Sequence, residues 1–231
     1  ARQDASRGKV WTKVIREITV AAKDGPDPND NPRLRLALEK ANSANMPKDT
    51  IKRAIEKGSG TGETGELQEI IFEGYGPGGV AILVETMTDN RNRTVSDVRH
   101  AFSKFGGNLG TDGSVSYLFK KIGIIHMKKN YSEEKLMEYV IESGALDFTE
   151  EDNFFEVTTD ANNFNNVIDF FKDHEIDYMN AQLALRADTL VNLDQDMSEK
   201  VLNIMEFMDD LDDVQEVYTN AEFPENFEIK G

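Results

Sequence analysis

The hydrophobic period of this chain changes at one place, the Gly-rich run GSGTGETGE at residues 58–66, and that change restricts the fold more than any other feature. Before it, apolar residues recur every three or four positions, as one face of a helix requires. After it they alternate or gather in short runs bounded by turn residues, as strands do. The run itself has the composition of a flexible linker, so it marks a boundary between two kinds of structure.

In RGKVWTKVIREITVAAKDG, Val10, Trp11, Val14, Ile15, Ile18, Ala21 and Ala22 fall on one side of a helix, while Arg2, Lys9, Lys13 and Arg16 fall on the other. Gly25 and Pro26 end it. RLRLALEKANSAN supplies a second helix and MPKDTIKRAIEKG a third, with Asn45 as the expected cap, Pro47 near the first turn and Gly58 as the stop. Three short helices sharing an apolar interior form a small bundle.

Beyond the linker, LQEIIFEGY and GVAILVETMT flank a Gly-Pro turn and read as a hairpin. A helix follows with Val95, Val98, Phe102 and Phe105 facing inward; Gly106 and Gly107 close it, and SVSYLFKK is expected to be a strand. From Ile122 the order is strand GIIHMK, helix SEEKLMEYVIESG, strands ALDFT and FFEVTT, helix NNFNNVIDFFKDH and strand YMNAQLALRA, the βαββαβ pattern of a ferredoxin-like unit. Helix SEKVLNIMEFMDDL and strand VQEVYTN then complete the interrupted ββαβ. The expected fold is α+β with three domains: a three-helix domain over 1–60, an α/β sandwich over 64–121 plus 190–231, and a ferredoxin-like α/β sandwich over 122–189 inserted into it.

Charge is distributed as unevenly as period. The formal net charge is −17, yet residues 1–58 carry +5, residues 59–121 carry −2 and residues 122–231 carry −20. Such asymmetry points to a polyanion-binding module joined to something else. The candidate phosphate contacts are Lys9, Lys13 and Arg16 on the first helix, Arg33 and Arg35 at the start of the second, and Lys48, Lys52 and Arg53 on the third. A second group, Arg91, Arg93 and Arg99, gathers around a helix start in TDNRNRTVSDVRHAFSKFGG. Cations there oppose the helix dipole unless an anion meets them. That anion is either Glu85, Asp89 or Asp97, or an external phosphate; the external phosphate is the expectation carried forward. The acidic remainder of the chain suits a basic protein partner or serves solubility.

Other chemistries find little support. The chain has no cysteine, which removes disulfides, thiol nucleophiles and Cys-based zinc sites and fits a reducing cytoplasm. His100, His126 and His174 form no ligand spacing, and the acidic runs DDLDD and EED lack the EF-hand pattern, so neither a metal nor another cofactor is expected. GYGPGG at 74–79 is followed by a strand rather than a helix and reads as a hairpin turn, not as a phosphate cradle. Phe154, Phe155, Phe170 and Phe171 read as core aromatics, since the RNP1 pattern of an RNA-recognition sheet is missing. The apolar run VAILV is far below the ~20 residues that span a bilayer.

The first helix, NPRLRLALEKANSANMPKDTIKRAIEKGSG, FEGYGPGGVAILVETMTDNRNRTVSDVRHAFSKFGGNLGTDGSVSYLF and VQEVYTN closely resemble the YebC/PmpR family, which includes the mitochondrial translational activator of cytochrome oxidase. The resemblance covers nearly the whole chain. It implies a three-domain cytoplasmic protein without enzymatic activity that acts as a DNA-binding transcriptional regulator or, alternatively, as a ribosome-associated translation factor that binds ribosomal RNA. Family members begin with a short basic M-A-G-H-S-K-W-like segment ahead of the part matching Ala1, so the family pattern implies further positive charge before the first helix.

Overall fold

The computed structural model describes residues 2–60 and 66–227; the side chains of residues 2–5, Arg2 among them, and the middle of the expected linker, 61–65, lie outside the described residues. The chain forms two compact units, the first built from residues up to 118 and from 187 onward, the second from residues 119–186.

The first unit opens with helices α1 (Arg2–Ala21), α2 (Pro32–Ser43) and α3 (Lys48–Ser59). Their shared core is made of small and branched side chains: Val14, Ile18, Ala21, Ala22, Leu34, Ala37, Ala41, Met46 and Ala54. Asn31 sets the turn between α1 and α2: its side-chain oxygen accepts from Leu34 N, and its Nδ2 donates to Ala21 O and Gly25 O at 2.7 and 3.0 Å. Two expected signals act differently. Asn45 does not cap α3; it sits at φ 55°, ending α2, and Pro47 holds the N-cap position of α3 without a side-chain bond. Asn tolerates left-handed backbone better than other non-glycine residues, which is why it serves as a stop here. Gly58 lies inside α3, where a Cβ would collide with Thr19 O of α1, so it permits close helix contact rather than ending the helix.

The same unit holds an antiparallel sheet in the order β3-β1-β2-β9: β1 (Gln68–Tyr75), β2 (Ala81–Thr88), β3 (Asn108–Leu109) and β9 (Val214–Thr219). Helices α4 (Arg91–Lys104) and α7 (Gln195–Asp209) cover one face, burying Phe72, Val84, Val98, Phe102, Ile204 and Met208. Val95 and Phe105 pack at the edge of that core, so all four expected inward positions of α4 face it. The GYGPGG segment is a tight turn with Gly78 and Gly79 at φ 72° and 79°, and a side chain at Gly78 would meet Leu193. Two-residue strands β8 (Val191–Asn192) and β10 (Ala221–Glu222) pair in parallel.

Of SVSYLFKK, Phe119, Lys120 and Lys121 open a strand of the second unit, while residues 114–118 are not a strand. Residues 116–118 form a single 3₁₀ turn because Glu73, buried on β1, accepts from the backbone N–H groups of Gly113, Val115 and Ser116 at 2.8–2.9 Å. Backbone donors held by a carboxylate are not available to a ladder, so the alternation of apolar residues is overridden. Burial pushes the Glu73 pKa up, but the three N–H bonds prevail and hold it below its ordinary value.

The second unit follows the expected βαββαβ order: β4 (Phe119–Met127), α5 (Glu133–Ser143), β5 (Asp147–Glu150), β6 (Phe155–Asp160), α6 (Phe164–Asp173) and β7 (Asn180–Ala187). Its sheet runs β5-β6-β4-β7, the ferredoxin-like order, and Ile125, Met127, Leu136, Val157, Phe164 and Phe171 are fully buried. Of the four phenylalanines expected in the core, Phe155 and Phe171 are buried; Phe154 and Phe170 are half-buried, with ring centroids 4.3 and 4.0 Å from those of His126 and His174.

Candidate nucleic-acid interface

The basic stripe of α1 lies against carboxylates of its own chain. Lys9 Nζ is 2.9 Å from Asp210 Oδ1, and Lys13 Nζ donates to Asp209 Oδ1 and Asp209 O at 2.7 and 2.8 Å. Arg16 Nη1 lies 2.8–2.9 Å from Met87 O, Asp212 O and Asp213 Oδ1. The DDLDD run is therefore the counterion of the stripe. Lys9 and Lys13 keep exposed partners, so those two pairs exchange readily with water and salt.

Arg93 meets the same loop. Its Nε and Nη2 reach Asp213 at 3.0 and 2.8 Å, and Nη2 also reaches Asp89 at 2.9 Å. Thr94 Oγ1 donates to Asp213 Oδ2 at 2.8 Å, which fills the remaining capacity of a carboxylate whose side chain is 4% exposed. Burial acts to raise the Asp213 pKa, yet its bonds to Arg93, Arg16 and Thr94 outweigh that and bring it down to about 2. The Arg93 guanidinium is correspondingly held above its ordinary value by Asp213 and then Asp89. For Arg93, then, the expected external anion is corrected to an internal one, chiefly Asp213, which the sequence did not single out.

Arg91 and Arg99 are different. Both are exposed on α4, and no ion pair joins either to another described residue. On α3 the exposed cations are Lys48, Lys52, Arg53 and Lys57. Lys52 makes one loose pair with Glu56 at 4.0 Å, and Arg53 Nε bonds to Asp49 O of its own helix at 3.3 Å. On α2, Arg33 is paired with Glu69, which raises its pKa, and Arg35 is half-buried with interactions inside the chain. Sequence reading passed over Lys57 and the exposed Arg7; the signal for Lys57 was its i, i+4 spacing from Arg53.

Arg33 and Arg91, far apart in sequence, line one open cavity of about 480 Å³. Lys23 lines it with them, facing Asp24, Glu66 and Glu69, so its walls hold as many anions as cations and give no net attraction for a phosphate. In the first unit His100 is exposed near Phe207; in the second His126 faces Glu156 and His174 bonds to Phe170 O. Among the described residues no group of His, Asp and Glu is arranged to hold a metal, and no helix is long and apolar enough to cross a membrane.

Two family models match end to end: the TACO1/YebC protein N-terminal domain over residues 1–61 and the TACO1/YebC second and third domain over residues 67–221. The chain belongs to the TACO1/YebC family. Curated TACO1/YebC relatives include probable transcriptional regulatory proteins from Alcanivorax borkumensis, 52% identical over 97% of this chain and 92% of the relative, and from Coxiella burnetii, 53% identical over 97% and 93%. A relative from Pseudomonas putida with the same description is 53% identical over 96% of this chain and 90% of its own. The crystal structure of a conserved hypothetical protein from Aquifex aeolicus has the same fold, with a TM-score of 0.89, 44% identity and coverage of 98% and 95%. The relatives from Alcanivorax borkumensis, Coxiella burnetii and Pseudomonas putida are named as regulators rather than as enzymes.

Proposed function

We propose that this chain is a cytoplasmic DNA-binding transcriptional regulator whose helical segment, residues 1–60, acts as the nucleic-acid-binding domain. The single observation behind this reading is that Lys48, Lys52, Arg53 and Lys57 of α3, with Arg91 and Arg99 of α4, stay exposed, with at most a loose pair or a backbone bond, whereas Lys9, Lys13, Arg16, Arg33 and Arg93 are paired with carboxylates of the same chain. Exposed cations without fixed counterions are those whose phosphate contacts release ions on binding and supply sequence-independent affinity. Lys9 and Lys13 join the contact by exchanging an exposed carboxylate for a phosphate; Arg16 and Arg93, tied to a buried one, act as scaffold.

A second reading, a translation factor on ribosomal RNA, is supported by the joint naming of TACO1 with YebC in the matching family models. Both readings require the same phosphate chemistry. Crosslinking in cells followed by sequencing of the attached nucleic acid separates them: promoter DNA is expected, ribosomal RNA would replace the first reading by the second, and recovery of neither would remove both.

A further inference from the structure

Helix α5 of the second unit buries Leu136 and Val140 and leaves a second apolar row uncovered. Met137 is 40% exposed and Ile141 71%, at i, i+4 spacing on one ridge of the helix; Leu146, 55% exposed, follows just past the left-handed Gly144 that ends it. The neighbouring ridge, also at i, i+4 spacing, is Glu134, Glu138 and Glu142. An apolar ridge beside an acidic ridge is one half of a helix-packing surface, because ridges of one helix fit grooves of another.

Both ends of α5 are capped. Ser132 accepts from Lys135 N at one end, and Asn163 Nδ2 donates to Gly144 O at 2.8 Å at the other. Among the described residues Glu138 pairs with Lys135 at 3.1 Å, both about half exposed, a pair that costs little to exchange. Residues 119–186 carry a net −7, so the whole unit attracts cations, but the apolar row is what distinguishes α5 from other acidic surface.

We propose that α5 is a docking surface for a basic amphipathic helix of a protein partner, one that presents apolar side chains to Met137 and Ile141 and lysines or arginines to Glu134, Glu138 and Glu142. The choice of occupant rests on charge complementarity and on the matched i, i+4 spacing of both rows. It is independent of the nucleic-acid reading, which concerns the other unit.

The test titrates isotopically labelled full-length protein with a synthetic peptide carrying leucines along one i, i+4 row and lysines along the next, followed by NMR. Shift changes confined to residues 133–147 are expected. Ile141→Ser should weaken binding about tenfold and Ile141→Leu should preserve it; a peptide of the same composition with its rows scrambled should not saturate. Because Ile141 is 71% exposed, these variants leave the core of the unit intact. Shift changes spread equally over the acidic runs at 150–152 and 209–213, or equal binding by the scrambled peptide or the Ile141→Ser variant, would overturn the proposal.

Discussion

Asp213 carries more structural consequence than any cation around it. A carboxylate with 4% side-chain exposure that accepts from Arg16, Arg93 and Thr94 joins α1, α4 and the start of β9. Asp213→Ala should destabilise the protein by about 1–3 kcal/mol, since it leaves the Arg16 guanidinium with backbone acceptors and Arg93 with Asp89 as its carboxylate. Its folded pKa of about 2 lies below the ordinary aspartate value of 3.8, so its contribution is fully present above pH ~4 and is lost as the pH falls through 2. That depression is worth about 2 kcal/mol. Acid titration of unfolding should show this limb in the native protein and lack it in Asp213→Asn; an identical acid limb in both would contradict the assignment. The sequence could not single out this residue, because a run of five mostly acidic positions looks the same whether its side chains face water or two arginines about 120 and 197 residues away.

At the scale of elements, periodicity carried the helices and most strands, and failed where one long-range group took over the backbone. The segment SVSYLFKK alternates like a strand, yet Glu73, some 40 residues earlier, holds its donors. Glu73→Ala should leave those N–H groups unpaired, cost about 1–3 kcal/mol and accelerate amide exchange at Gly113, Val115 and Ser116 selectively. Gly58 shows the same limit from another side: a glycine near a helix end reads as a stop, and only the approach of α1 reveals why no side chain fits. Gly58→Ala should therefore destabilise by about 1–3 kcal/mol despite the better helix propensity of alanine. The acidic end of α7 acts on α1 as a built-in polyanion. Asp209→Asn with Asp210→Asn should raise nucleic-acid affinity beyond a control variant, Glu151→Gln with Asp152→Asn, that removes two charges from the other unit.

For the whole molecule, the α+β architecture, the ferredoxin-like insertion and the family were legible because periodicity and long motifs survive without knowledge of contacts. The candidate interface was legible only in part. Charge segregation pointed to the first quarter of the chain, but which of its cations remain unspent depends on pairings between residues 9–16 and 209–213 that no local pattern encodes. In the proposed function, phosphate is gripped by the exposed cations of α3 and α4. The most direct measurement is the slope of log affinity against log salt for a DNA or RNA duplex, taken for the native protein, for Lys48→Ala with Arg53→Ala, and for Arg16→Lys. The α3 double variant should flatten the slope by roughly 0.9 per lost contact while Arg16→Lys leaves it unchanged. An unaltered slope in the α3 variant, in a protein that still binds, would contradict it.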